Sequence, residues 1–155
     1  MGHGIHTYFK PSIPFNNIKE VFDFCKCHLN QYNPVLMENS IWLDPWCFML
    51  DFPDNRYEDP SFPYLKLYTQ GHLSILYDTL QCRNDIKTIC EMLGAKDWWT
   101  CDECSDDIVC DLSIDEFEKV LESQSIEYEK LLMPTFLWPQ NCHFIHDGSF
   151  KRMII

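Results

Sequence analysis

The stretch NNIKEVFDFCKCHLNQYN, residues 16–33, decides how this chain folds, because it carries a strongly helical pattern. Its apolar residues recur at helical spacing, and charged residues occupy the opposite face. The apolar positions are Ile18, Val21, Phe22, Cys25, Leu29 and Tyr32. Asn16 or Asn17 can cap the start of the helix, and Pro34 ends it. The pattern predicts an amphipathic helix whose apolar face packs on the core.

Segments rich in β-branched and aromatic residues lie on both sides of this helix and predict strands. They are GIHTYF (4–9), SIWLDPWCFMLDF (40–52, one or two strands bent at Pro45) and YLKLYT (64–69). A Pro- and Asp-rich loop, residues 52–63, separates the last two. Residues 72–80, HLSILYDTL, either form a hairpin with YLKLYT or begin a helix. The segment SFKRMII, residues 149–155, can add a last strand.

Two further helices are predicted in the second half of the chain. In NDIKTICEMLG, residues 84–94, Asn84 or Asp85 can cap the start and Gly94 ends the helix. In LSIDEFEKVLESQ, residues 112–124, Ser113 and Glu116 have the spacing of a capping box. With strands and helices mixed in this way, we expect a single compact α+β domain over residues 1–155. Its antiparallel or mixed sheet is expected to pack with about three helices.

The composition limits the partners of the chain. There are 24 acidic residues against 12 basic ones, a formal charge of −12. Such a charge repels nucleic acid and anionic lipid and attracts basic proteins. No stretch approaches the roughly 20 apolar residues of a membrane helix, and MGHGIHTYFKPSIPF lacks the pattern of a secretory signal. We therefore expect a cytosolic protein with reduced cysteines that binds neither nucleic acid nor membrane.

The acidic residues concentrate in one segment. Residues 97–118 contain nine acids and no lysine or arginine. Adjacent residues of an extended chain point in opposite directions, so at least one of its two neighbouring tryptophans is expected to face solvent. Tryptophan among carboxylates is typical of a binding hot spot for a basic surface. The candidate partner-binding residues are Asp97, Trp98, Trp99, Asp102, Glu103, Asp106, Asp107 and Asp111. The alternative is a solvated loop that leads into a helix N-terminus, where acids favour the helix dipole.

The same segment contains Cys101 and Cys104, whose spacing suits two ligands of one zinc ion. The residues that could complete such a site are Cys82, Cys90, Cys110, Cys142, His143 and His146. A second Cys-x2-Cys pair is missing, so we expect ordinary reduced cysteines and no bound metal. The acids around the pair disfavour the thiolate form and so argue against a redox function. No complete set of catalytic residues is recognisable either.

Together these features favour a small acidic cytosolic binding protein that masks a basic protein partner. The most concrete form is an immunity protein or antitoxin that neutralises a toxin, for example a nuclease with a basic cleft. A zinc-stabilised protein-interaction module is one alternative. An enzyme with a dispersed Cys/His site is another.

Overall fold

The computed structural model describes residues 5–69, 80–102, 112–124 and 142–145. The strands are β1 (Ile5–Phe9), β2 (Val35–Met37), β3 (Ser40–Leu43), β4 (Phe48–Asp51), β5 (Leu65–Thr69), β6 (Trp98–Asp102) and β7 (Cys142–Ile145). The α-helices are α1 (Ile18–His28), α2 (Asn55–Glu58), α3 (Leu80–Met92) and α4 (Ile114–Gln124). A 3-10 turn, Asn30–Tyr32, follows α1.

The strands form one mixed sheet in the order β2-β3-β4-β5-β1-β6-β7. All neighbouring pairs are antiparallel except β6 and β7, which run parallel. The first strand therefore lies near the middle of the sheet, between β5 and β6. Three helices longer than two turns accompany the sheet in the described part of the chain. The predicted α+β class, with a mixed sheet and about three helices, is confirmed.

Helix α1 forms as its sequence predicts. The side chain of Asn17 caps it, because its Oδ1 accepts a hydrogen bond of 3.0 Å from the backbone N–H of Glu20. Val21, Cys25 and Leu29 are fully buried along one face. The helix ends at His28, before Pro34, and the predicted residue Tyr32 is buried in the 3-10 turn that follows.

The main core lies on the side of the sheet that α1 and α3 cover. It consists of alternate strand residues and the inner faces of both helices. Its members include Phe9, Val21, Cys25, Ile41, Leu43, Phe48, Leu50, Leu67, Ile86, Ile89 and Trp98. Because Phe9 is paired with both Leu65 and Trp98, three adjacent strands contribute to this core at one level.

A smaller aromatic cluster lies on the opposite side of the sheet. It contains Tyr8, Phe62, Tyr64 and Phe117, all buried, with Trp99 partly buried against them. The ring of Phe117 lies 5.3 Å from Tyr8 and 5.2 Å from Phe62 in edge-to-face geometry, which aromatic rings favour. Helix α4 is held against the sheet by this cluster.

The segment predicted as strands bent at Pro45 forms β3 and β4, joined by a turn with a cis Asp44–Pro45 bond. Trp46 in this turn donates a hydrogen bond of 2.6 Å to Asp85, and Tyr32 donates one of 2.9 Å to the same carboxylate. The prediction that Asn84 or Asp85 caps the helix is wrong, because α3 already begins at Leu80. Asp85 instead connects α3 to the turn.

Helix α3 ends at Met92, and Gly94 follows it as the predicted terminating residue. This residue has φ +86°, a left-handed conformation that glycine adopts without strain. A Cβ at Gly94 would overlap the side chain of Ser12, whose backbone N–H also donates to Leu93 O. The segment 72–80, predicted as a hairpin strand or the start of a helix, is described only at Leu80, where α3 begins. The predicted strand at 149–155 lies outside the described residues. Strands β2, β6 and β7 and the short helix α2 were not predicted.

Candidate partner-binding surface

Strand β6 separates the two neighbouring tryptophans. The side chain of Trp98 is 1% exposed and belongs to the main core, whereas Trp99 lies on the other side of the sheet. Trp99 is partly buried, and its ring packs edge-on against Tyr64 at 6.3 Å between centroids. Trp98 therefore stabilises the fold and does not form part of a contact surface. Of the two tryptophans in the acidic segment, only Trp99 keeps part of its side chain exposed.

The C-terminal end of the acidic segment forms the start of α4, which several hydrogen bonds hold in place. The predicted capping box is confirmed: Ser113 N–H donates to Glu116 Oε2 at 3.2 Å, and Glu116 N–H donates to Ser113 Oγ at 3.3 Å. Leu112 O also accepts a hydrogen bond of 2.7 Å from the Asn55 side chain. With Phe117 buried in the aromatic cluster, the first turn of α4 is held while Asp115 and Glu116 stay exposed.

Tyr64 shows that acids distant in the sequence come close together. Its hydroxyl donates a hydrogen bond of 3.3 Å to Glu118 on α4. Burial is the largest cause that raises the pKa of Tyr64, and the negative charges of Glu118 and Asp97 raise it further. A carboxylate just before β6 and one on α4 thus act on a single hydroxyl. The ion pair between Lys10 and Glu118, at 3.7 Å, is half exposed and so contributes little stability.

The segment that contains these anchors carries most of the net charge of the protein. Residues 97–118 contain nine acids and no lysine or arginine, which accounts for −9 of the total −12. Of the predicted partner-binding residues, Asp97 is partly exposed and Asp102 ends β6. Glu103, Asp106, Asp107 and Asp111 lie outside the described residues.

The predicted metal ligands are only partly placed. Strand β7 puts His143 opposite Trp99 and Ile145 opposite Cys101, so Cys101 and His143 are two register positions apart on adjacent strands. Cys142 lies opposite Trp98, while Cys104, Cys110 and His146 lie outside the described part of the chain. Within that part, no three His, Cys, Asp or Glu residues gather in a way that could hold a metal ion.

The cysteines with described side chains include both buried and exposed thiols. Cys25, Cys82 and Cys90 are buried. Burial raises the pKa of the Cys25 thiol to about 12, which keeps it protonated and unreactive at neutral pH. Cys27 and Cys47 are exposed free thiols.

A cavity of about 320 Å³, which the sequence did not indicate, lies where β4 ends and α2 begins. Its lining includes Asp51, Phe52, Asp54, Arg56 and Tyr57. Asp51 Oδ2 accepts a long hydrogen bond of 3.4 Å from Ser40, and its Oδ1 is buried without a hydrogen-bond partner among the described residues. Because these residues lie in a stretch that resembles a plain Pro- and Asp-rich loop, no pattern in the sequence marks them as a group.

Burial raises the pKa of Asp51 to about 6, from its ordinary value of 3.8. The positive charge of Lys66 and the hydrogen bond from Ser40 lower this pKa, and the charge of Asp54 raises it. Since the pKa is higher in the folded state than in the unfolded chain, ionised Asp51 destabilises the fold above pH 6. This cost disappears as the pH falls from 6 to 4.

We predict that Asp51→Asn changes the pH dependence of stability. The wild type should gain about 2 to 3 kcal/mol relative to the variant between pH 7 and pH 4, since a pKa unit is worth about 1.4 kcal/mol. Urea unfolding of both proteins at several pH values measures this difference directly. A difference that stays constant from pH 7 to pH 4 would show that Asp51 ionises normally. Because other carboxylates also titrate in this range, the comparison is made between the two proteins at each pH.

No helix among the described residues is long and apolar enough to cross a membrane. No protein-family model, curated protein or solved structure matches this chain.

Proposed function

We propose that this chain is a small acidic cytosolic protein that binds a basic protein partner through residues 97–118 and thereby masks it. One observation supports the proposal above all. Residues 97–118 account for −9 of the net charge of −12, and they are anchored near both ends in the same aromatic cluster, by Trp99 and by Phe117. The two anchors hold the ends of the segment on one side of the sheet, where the exposed carboxylates Asp115 and Glu116 also lie.

The electrostatics of this surface favour a cationic partner. Carboxylates concentrated in one segment repel one another and reduce the stability of the free protein. Lysine and arginine residues of a partner would relieve that repulsion on binding. Complementary charge would also accelerate association, because it steers the two proteins toward each other before contact.

The most concrete form of the proposal is an immunity protein or antitoxin. A toxin that acts on nucleic acid needs a basic cleft for its polyphosphate substrate. Carboxylates of the acidic segment could occupy that cleft in place of phosphates and block it. A gene for a large secreted toxin immediately upstream of the gene for this chain would support this form of the proposal.

Two other functions remain as alternatives: a zinc-stabilised protein-interaction module and an enzyme with a dispersed Cys/His site. The register that places Cys101 and His143 two positions apart on neighbouring strands is the observation that favours the zinc module. Elemental analysis of the native, untagged protein separates it from the main proposal. One zinc ion per chain, lost together with the fold on chelation, would favour the module.

The main test is charge reversal in the acidic segment. We predict that changing Asp102, Glu103, Asp106 and Asp107 together to lysine abolishes capture of the partner from the native host. The matched control reverses four exposed acids elsewhere, Asp23, Glu38, Glu58 and Glu91, and so changes the net charge equally. If the segment is the interface, the control should still capture the partner.

Binding kinetics on the captured protein complete the test. Association should slow steeply as salt rises, since exposed charges are screened over about 8 Å at physiological ionic strength. If the two charge-reversed proteins bind the partner with equal affinity, only net charge matters and the acidic segment is not the interface. Circular dichroism of both variants establishes that each remains folded.

A further inference from the structure

Two carboxylates line the cavity beside α2, and neither forms an ion pair with a described residue. Asp51 and Asp54 both line it, and the charge of Asp54 raises the pKa of Asp51, so the two carboxylates repel each other. Asp51 forms no ion pair with Lys66, the residue opposite it on β5, although the charge of Lys66 lowers the pKa of Asp51. The Oδ1 of Asp51 has no hydrogen-bond partner among the described residues. Such a buried acceptor is costly unless a donor reaches it.

The arginine in the wall of the cavity does not provide that donor. The guanidinium of Arg56 donates at 3.0 Å to Phe62 O and to Phe15 O, and at 3.4 Å to Asn16 O. It also lies 4.4 Å from the ring centroid of Phe52. Arg56 thus holds three backbone segments together, and its hydrogen bonds go to carbonyl groups. Arg56 therefore leaves the carboxylates of Asp51 and Asp54 unpaired, and of the two Asp54 is exposed.

The remaining wall suits a flat cation better than a compact one. Tyr57 is 74% exposed and lines the same cavity, so a ring is accessible for stacking. A guanidinium group stacks on aromatic rings, sheds water more easily than an ammonium group and donates two parallel hydrogen bonds to one carboxylate. The volume of about 320 Å³ lies at the lower end of the range for small-ligand pockets, roughly 300–1,000 Å³.

We propose that this cavity is a binding site for a guanidinium group, which Asp51 and Asp54 engage by charge-assisted hydrogen bonds while Tyr57 stacks on its face. The group can come from a free small molecule or from an arginine side chain of a protein. The position of the cavity fits the second source, because Asn55 in the same short helix donates a hydrogen bond to Leu112 O within the acidic segment. The site itself does not depend on the function proposed above.

The experiment is a titration of the full-length, isotopically labelled chain, followed by amide chemical shifts. The ligands are L-arginine, N-acetyl-L-arginine amide and L-citrulline, which replaces the guanidinium by a neutral group of the same shape. The two arginine compounds should produce saturable shifts in residues 51–57 and 16–17, and citrulline should not. Asp51→Asn and Asp54→Asn should each weaken binding about tenfold, since each removes a charged acceptor. The control Glu58→Gln changes an exposed acid of α2 that does not line the cavity, and should bind like the wild type.

The three ligands also identify the source of the group. Tighter binding of free arginine than of the blocked amide would assign the site to a small molecule, because only the free form carries an amine and a carboxylate. Equal or tighter binding of the blocked amide would assign it to an arginine within a protein chain. The proposal is wrong if citrulline shifts the same amides as arginine does. It is also wrong if Asp54→Asn, at an exposed position that does not support the core, binds arginine as the wild type does.

Discussion

Replacing Val21 with aspartate should unfold the protein or strongly destabilise it. Val21 is fully buried near the start of α1, between Ile18 and Cys25 on the face that packs into the main core. A carboxylate there would lose its hydration without gaining a partner, a cost that exceeds about 4 kcal/mol. Small domains are stable by only about 5–15 kcal/mol, so a loss of this size removes most of the free energy of unfolding at the lower end of that range.

Circular dichroism and urea unfolding measure this effect. The control is Cys27→Asp, which adds the same charge to an exposed position of the same helix. That variant should lose no more than about 1 kcal/mol, the usual size of a surface change near a helix end. A Val21→Asp protein with an unchanged melting temperature would contradict the placement of α1 in the core.

Truncating Phe117 to alanine should cost about 3–5 kcal/mol, the usual loss when a fully buried phenylalanine is removed. Its side chain is fully buried, and its ring also lies 4.8 Å from that of Tyr64. Removing it leaves a cavity between α4 and the sheet that aromatic neighbours cannot easily fill. The variant should therefore unfold at a markedly lower urea concentration, with a slope close to that of the wild type.

Lys119→Ala serves as the control for Phe117→Ala, because Lys119 is exposed on the same helix. It should change the stability by less than about 0.5 kcal/mol. If Phe117→Ala costs as little as this control, α4 does not pack on the aromatic cluster. The acidic segment would then lose its anchor at Phe117, and the proposed interface would lose its main structural support.

Local patterns in the sequence were sufficient to predict the elements that depend on neighbouring residues. The apolar residues of α1 repeat on one face, and the capping box of α4 needs only Ser113 and Glu116. The start of α3 was misplaced because Asp85 resembles a cap in the sequence, whereas its partners Tyr32 and Trp46 are far away along the chain. Contacts of this kind leave no trace in local periodicity.

The candidate site was predictable in its charge but not in its geometry. That adjacent tryptophans of an extended segment point in opposite directions follows from strand geometry. Which of them enters the core depends on the pairing of β6 with β1, where Trp98 meets Phe9 and Trp99 meets Tyr8. The sequence of the segment alone does not predict this pairing. The cavity was missed for a related reason, since residues 16–17 and 51–57 meet only in the folded chain.

The position of β1 inside the sheet, between β5 and β6, affects how the protein unfolds. His6, Thr7, Tyr8 and Phe9 are all buried, because alternate residues enter the layers on the two sides of the sheet. A shift of one residue in the pairing of β1 would exchange Tyr8 and Phe9 and disrupt both layers at once. Neither layer can therefore melt while the other keeps its native register. Damage on the α4 side should spread to the helices behind the sheet, so that the described regions open in one cooperative transition.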